Sequence, residues 1–166
     1  MFLKFSDQPR HALVLVCVVS IAMLAFGLYL QHVQGLEPCP MCIVQRYLLV
    51  LVAVVAGVTA FSHRFTLLAL GAGLMAVLAA LGAFVAARQS FLQWYPPENA
   101  SCGRDLFGMI ETFPLRRAIP MIFKGSGDCT KIDLTFLGLS IANWSFLCFV
   151  VIALAGLVIV FRQLKK

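Results

Sequence analysis

The feature that most constrains this chain is a set of four long apolar stretches. They cover residues 12–30, 43–61, 66–87 and 141–161. Each is close to the roughly 20 residues that an α-helix needs to cross the hydrocarbon of a bilayer. Because no water is available there, every backbone amide must be satisfied within its own segment, so each stretch is predicted to be a helix. The expected fold is an all-α membrane protein, a four-transmembrane-helix bundle that forms a single domain over residues 1–166.

The composition agrees with a membrane location. Hydrophobic residues make up 61% of the chain and charged residues 12%, against roughly 25% charged in soluble domains. The net charge is +6, but the basic residues lie mostly beside apolar stretches, where they meet anionic headgroups. We therefore expect contact with membrane lipid and not with nucleic acid. The first stretch is longer than the core of a secretory signal and lacks a cleavage site after it, so we expect it to be retained.

The third stretch is rich in small residues, which let helix backbones approach closely in lipid. These residues are Gly71, Gly73, Ala76, Ala79, Ala80, Gly82 and Ala83. They are interpreted either as a packing face or as plain apolar filler.

The predicted connections are unequal in length. A short loop covers residues 31–42, and a long loop covers 88–140. Within the long loop, residues 106–123 are apolar but interrupted by charges and two prolines. This segment fits a short helix lying in the headgroup region or a loop packed on the end of the bundle.

Lysines and arginines divide evenly between the two sides of the membrane, so their number alone does not settle the orientation. Two arguments do. Four cations of the termini and the short turn flank their spans tightly, and four of the six cysteines lie outside the apolar stretches or at their edges, which suits the oxidising side. We predict cytoplasmic termini and extracytoplasmic cysteine loops. Cys17 and Cys148, inside the apolar stretches, are expected to be inert packing residues.

Cys39-Pro40-Met41-Cys42 forms a C-x-x-C motif directly before the second stretch. Such a pair permits a reversible disulfide or binds zinc. Its position puts Cys42 near a helix N-terminus, where unpaired amides and the helix dipole favour a thiolate. Arg46 follows one helical turn later on the same face. Its guanidinium is suited to stabilise that thiolate and hold a ligand oxygen, although a residue that only reaches the headgroups fits the sequence as well.

Cys102 and Cys129 enclose residues 103–128 of the long loop. A disulfide between them would be either structural or catalytic. The presence of the Cys39–Cys42 pair favours the catalytic alternative, because two exchangeable disulfides on one face of the membrane would form an electron relay.

Further short segments accompany these cysteines along the chain. In order, they are Glu37-Pro38-Cys39-Pro40-Met41-Cys42, Arg46, Leu92-Gln93-Trp94-Tyr95-Pro96, Cys102, Ser126-Gly127-Asp128-Cys129 and Phe136-Leu137-Gly138-Leu139. In this combination the chain resembles the bacterial disulfide-bond formation protein B (DsbB) family of quinone reductases over essentially its whole length.

The resemblance implies a role for each loop cysteine. Cys102 is similar to the cysteine that forms a mixed disulfide with a soluble periplasmic DsbA-like thiol oxidase. Cys129 is similar to the cysteine that is then displaced and joins Cys39. Cys42 corresponds to the cysteine beside the quinone, and Arg46 to the arginine that contacts the quinone.

The same resemblance implies a monomer in the bacterial inner membrane that reduces ubiquinone or menaquinone. This chain has Gln89 where well-known members carry a histidine. An amide there can donate a hydrogen bond to a quinone oxygen, but it cannot titrate. We therefore predict a quinone-dependent protein-dithiol oxidoreductase with no metal, in which Cys42, Arg46 and Gln89 bind the quinone.

Three alternatives remain open at the level of sequence. The same fold can serve one dedicated partner protein. Electron flow can run in reverse, as in vitamin K epoxide reductase-like proteins, whose C-x-x-C typically comes later in the chain. A non-enzymatic membrane scaffold with structural disulfides, or with a zinc site, would also contain four such cysteines.

Overall fold

The structure is a computed structural model that describes residues 9–35, 39–62, 64–95, 135–136 and 138–165. In these ranges it contains four long helices and one short hairpin. The elements are α1 (Pro9–Val33), α2 (Pro40–Phe61), α3 (Phe65–Trp94), β1 (Thr135–Phe136), β2 (Leu139–Ser140) and α4 (Ile141–Leu164). The two strands pair antiparallel, Thr135 opposite Ser140, and Gly138 takes the positive φ of 79° that their turn requires.

The predicted four-helix fold is confirmed, and each helix is long and apolar enough to cross a membrane. Each of the four helices is longer than its predicted stretch. The long loop was expected to start at residue 88, but α3 continues to Trp94, because a helix can extend beyond the hydrocarbon once polar side chains begin. The second helix starts at Pro40, not after it, because the first helical position needs no N–H donor.

Large apolar side chains cover the outside of the four helices. Val58 and Leu70, for example, are each 70% exposed. A soluble protein rarely exposes apolar surface over such an extent. Together with the length of the helices, this surface shows a multi-pass membrane protein whose outer face contacts lipid.

The helices pack in chain order, α1 on α2, α2 on α3 and α3 on α4, and the α3–α4 contact is the most extensive. Small residues permit this contact. A Cβ on Gly82 would overlap the Phe149 ring, with Cδ1 at 2.6 Å, and a Cβ on Gly156 would lie 2.9 Å from the Ala72 carbonyl oxygen. Gly82 therefore belongs to a packing face, as one reading of the small residues predicted.

Contacts between neighbouring helices bring together the end of α1, the start of α2, the end of α3 and the start of α4. Arg46 reaches Gln31, and Ser140 reaches Gln93. We call this end of the bundle the cysteine end, because Cys39 and Cys42 lie there. A small buried cluster fills it, formed by Cys39, Met41, Val85 and Leu92. Cys102, Cys129, His63 and the apolar segment 106–123 lie outside the described residues.

Candidate thiol redox site

Cys39 is the N-cap residue of α2. Its backbone is extended, with φ −64° and ψ 159°, and its sulfur accepts a hydrogen bond from the Cys42 amide at 3.3 Å. The first amides of a helix have no partner inside the helix, so a side chain at this position satisfies one of them. The three-residue spacing of the motif thus lets the Cys39 side chain cap the helix that contains Cys42. Pro40, which has no N–H to satisfy, occupies the first turn.

The two sulfurs of the motif are in direct contact. Cys39 Sγ and Cys42 Sγ lie 2.7 Å apart, and either can be the hydrogen-bond donor. Cys39 is buried and Cys42 is half-buried, so the second sulfur of the pair is the more accessible. Little movement separates this arrangement from a disulfide, whose sulfurs are about 2.05 Å apart.

Gln89 of α3 presents its amide group to both sulfurs. Its Nε2 donates to Cys42 Sγ at 3.2 Å and to Cys39 Sγ at 3.4 Å. The residue is only 5% exposed. Sulfur is a weak acceptor as a thiol and a stronger one as a thiolate, so these donors favour the charged form of the pair.

A second buried glutamine, Gln45, holds the other end of that amide. Its Nε2 donates to Gln89 Oε1 at 2.7 Å. Gln45 lies one turn into α2, and the bond joins α2 to α3 directly beneath the sulfurs. Gln45 was not predicted from the sequence, although a polar side chain at the start of an apolar stretch is a usable signal.

Arg46 faces α1, on another side of α2. Its Nη1 donates to Gln31 Oε1 at 2.5 Å and its Nη2 to the Gly27 carbonyl oxygen at 3.0 Å. Gly27 leaves room for the guanidinium, since a Cβ there would lie 3.5 Å from Nε. Gln31 and Gly27 were not predicted from the sequence, because only packing of α1 on α2 brings them to Arg46.

The structure thus groups three of the predicted site residues, Cys39, Cys42 and Gln89, within hydrogen-bond distance. Arg46 is placed at the same end of the bundle, but among the described residues its guanidinium hydrogen bonds go to α1 and not to Cys42. The predicted roles of Cys102 and Cys129 remain predictions, because both residues lie outside the described ranges.

The two ends of the long connection are tied together at the cysteine end. Ser140 Oγ donates to Gln93 Oε1 at 2.6 Å, and the same oxygen accepts from the Asn143 amide as the N-cap of α4. The chain therefore leaves α3 and returns to α4 beside the Cys39–Cys42 pair.

The structure combines four helices that can span a membrane with a cysteine pair at one end. The two sulfurs contact each other and accept hydrogen bonds from a side-chain amide. These features define the class of membrane proteins that carry out thiol–disulfide exchange. Comparison with known proteins gives the particular family. The family model described as Disulfide bond formation protein DsbB matches residues 9–159, and the chain belongs to this family. It is a disulfide-forming oxidoreductase of the membrane.

Curated relatives agree over the full length of the chain. It is 74% identical to the Disulfide bond formation protein B of Polaromonas sp. (strain JS666 / ATCC BAA-500), over 100% of this chain and 99% of the relative. It is 69% identical to the protein of that name from Polaromonas naphthalenivorans, with the same coverage. Identity to the protein of that name from Albidiferax ferrireducens is 63%, over 96% of this chain and 92% of the relative.

Proposed function

We propose that this protein re-oxidises a DsbA-like dithiol oxidase in the periplasm and passes the electrons to a quinone in the bacterial inner membrane. The observation that carries the proposal is the Cys39–Cys42 pair at the start of α2, a helix long and apolar enough to span the membrane, with its sulfurs 2.7 Å apart. A thiol pair at that depth is accessible both to extracytoplasmic loops and to a lipid-soluble electron acceptor. Both termini are then cytoplasmic, and both cysteine loops are periplasmic.

Energetics explain why a membrane acceptor is needed. A DsbA-like partner is a strong oxidant, with a reduction potential of about −120 mV. A structural disulfide, with a potential below about −300 mV, cannot re-oxidise it. The terminal acceptor must therefore lie well above the partner, and quinones dissolved in the bilayer meet that demand.

The residues at the cysteine end suit a quinone. When bound, a quinone would accept two electrons and two protons. Cys42 is half-buried, and Arg46, one helical turn further along α2, carries five N–H donors, of which its two hydrogen bonds use only part. Arg46 would hold a ring oxygen, and Cys42 would face the ring. For Gln89, whose amide hydrogens point at the two sulfurs, the quinone contact implied by the resemblance stays a prediction. Ubiquinone and menaquinone both fit this donor set.

Two electrons pass from the partner to the Cys39–Cys42 pair by successive thiol–disulfide exchanges among the four loop cysteines. A thiolate of the reduced partner attacks Cys102, and Cys129 leaves as a thiolate. The second thiol of the partner then resolves the mixed disulfide, so the partner departs oxidised. Cys129 attacks Cys39 and displaces Cys42 as a thiolate; Cys102 then resolves the Cys129–Cys39 bond. Two electrons now reside on Cys39 and Cys42 for delivery to the acceptor.

The test is anaerobic mixing of the purified protein with reduced DsbA and ubiquinone, followed by the optical loss of quinone. We expect Cys42→Ser to abolish quinone reduction. Cys102→Ser should block turnover of the partner and leave the Cys39–Cys42 pair oxidisable by quinone. Cys148→Ala, which removes a cysteine from the middle of the bundle, is the control and should retain the full rate.

Full activity in both Cys42→Ser and Cys102→Ser would contradict the relay. Two disulfides that reduced DsbA cannot open would instead favour a structural scaffold. Menaquinone in place of ubiquinone distinguishes the two acceptors in the same assay.

A further inference from the structure

Gln45 and Gln89 form a buried amide pair, and no step described above gives Gln45 a role. Gln45 is 6% exposed and Gln89 is 5% exposed. The first lies on α2 and the second on α3, and one short hydrogen bond of 2.7 Å joins them. Buried amides cost free energy unless they are hydrogen-bonded, so a pair placed next to two sulfurs calls for an explanation.

The direction of the bond matters because an amide has two unlike ends. One end of Gln89 accepts and the other donates. If the Gln89 amide were turned the other way, its Oε1 would face the sulfur lone pairs of Cys39 and Cys42. Neither a thiolate nor a disulfide has a hydrogen to donate to that oxygen, so the two acceptors would face each other without a hydrogen bond. With Gln45 Nε2 bonded to Oε1, the donating end faces the sulfurs at 3.2 and 3.4 Å.

We propose that Gln45 is a positioning residue for the redox pair: it fixes the orientation of the Gln89 amide so that both sulfurs receive N–H donors. The inference rests on the proposed function only in that Cys39 and Cys42 cycle between disulfide and dithiol.

The consequence is a bias in the redox equilibrium of the pair. Reduction of the disulfide takes up two electrons and one proton to give one thiol and one thiolate. N–H donors stabilise the thiolate more than they stabilise a disulfide sulfur. Gln45 therefore favours the reduced state, and the disulfide becomes a stronger oxidant than it would be without the amide pair.

A purely structural role makes a different prediction. As an interhelical hydrogen bond, the pair would add stability to the α2–α3 contact and leave the redox equilibrium unchanged. The equilibrium constant of the Cys39–Cys42 pair separates these roles, because it compares two states of the same folded protein.

The experiment uses the full chain in detergent, freed of quinone and carrying Cys102→Ser and Cys129→Ser so that one pair titrates. The protein is equilibrated in glutathione buffers, and the oxidised fraction is read by alkylation and mass spectrometry. Gln45→Met and Gln89→Met should each shift the equilibrium toward the disulfide by about tenfold. The double variant should match Gln89→Met alone, because Gln45 acts only through Gln89.

The matched control is Gln163→Met, which removes an equally buried glutamine (5% exposed) near the opposite end of α4. It should leave the equilibrium unchanged. If Gln45→Met does not fold, Gln45→Leu is used instead, since it also removes the donor to Gln89 Oε1 and adds no charge, and the same shift is expected. An unchanged equilibrium in the folded Gln45 variant, or full additivity in the double variant, would overturn the proposal. Neither partner nor quinone is present, so failure here is distinct from failure of the proposed function.

Discussion

At the scale of a single residue, Cys39 is the N-cap of α2, and we propose that its sulfur is also redox-active. Substitution separates them. Cys39→Ala and Cys39→Ser both remove the sulfur, but serine keeps an acceptor for the Cys42 amide. We expect the alanine variant to be less stable than the serine variant by about 1 kcal/mol, the usual worth of an N-cap.

Thermal unfolding of both proteins in the same detergent measures the difference. Equal stability of the two variants would mean that the cap contributes nothing. Neither variant should re-oxidise the partner, so loss of activity alone does not distinguish them.

Arg46 is predicted to act on quinone affinity. Arg46→Met keeps much of the apolar stem and removes the guanidinium, so the apparent KM for ubiquinone should rise about tenfold, as expected for the loss of one charge-assisted hydrogen bond. Gln31→Met should shift KM in the same direction by less, because Gln31 Oε1 orients the guanidinium from α1.

Arg64→Met is the matched control, since this arginine lies at the start of α3, at the opposite end of the bundle, and its side chain forms no capping bond. It should leave KM unchanged. An unaltered KM in Arg46→Met would leave Arg46 as an anchor to the headgroups.

The sequence was most informative about residues whose partners are close in the chain. Cys39 and Cys42 are three residues apart, so their contact follows from the start of one helix. Gln45 was not predicted as a site residue, because its role depends on Gln89, which is 44 residues away in the chain. A pairing across two helices has no local pattern, and only the packing of α2 on α3 reveals it.

At the scale of elements, glycine in α3 sets the distance to α4. Gly82→Ala would press a methyl group into the Phe149 ring, which is buried and has little room to move. We expect a loss of about 1–3 kcal/mol, typical of an overpacked core. Gly73→Ala is the control, since its Cβ would lie 3.8 Å from Val160 Cγ2 in ordinary contact.

Both variants are compared by thermal unfolding in detergent. A second substitution, Phe149→Leu, should relieve the effect of Gly82→Ala, because the clash is with the ring. Equal stability of the Gly82 and Gly73 variants would show that α3 and α4 can separate without cost.

The length of an apolar stretch predicts that a helix exists, but it does not predict where the helix ends. It predicted that four helices exist, because spanning a bilayer demands both length and apolar side chains. It placed the end of the third stretch at residue 87, while α3 runs seven residues further, to Trp94. Those last two turns carry Gln89, which was selected from the family resemblance, and Gln93, whose contact with Ser140 was not predicted.

At the scale of the whole molecule, the antiparallel order of the helices determines which segments can meet. The contact of Ser140 with Gln93 places both ends of the long connection at the cysteine end of the bundle. We therefore predict that the cysteines carried by that connection lie on the same side of the membrane as the C-x-x-C motif, as electron transfer between the two pairs would require.

This arrangement predicts the outcome of labelling in intact cells. In a variant with all six native cysteines replaced, single reporters are introduced as Gly35→Cys, Tyr95→Cys and Ser62→Cys. Gly35 and Tyr95 lie at the cysteine end and are expected to react with a membrane-impermeant maleimide from the periplasm. Ser62 follows α2 at the opposite end and should react only after the membrane is opened. Labelling of Gly35→Cys and Tyr95→Cys from different sides would separate the two cysteine pairs and exclude transfer between them, whereas labelling of all three from outside would contradict the membrane-spanning bundle itself.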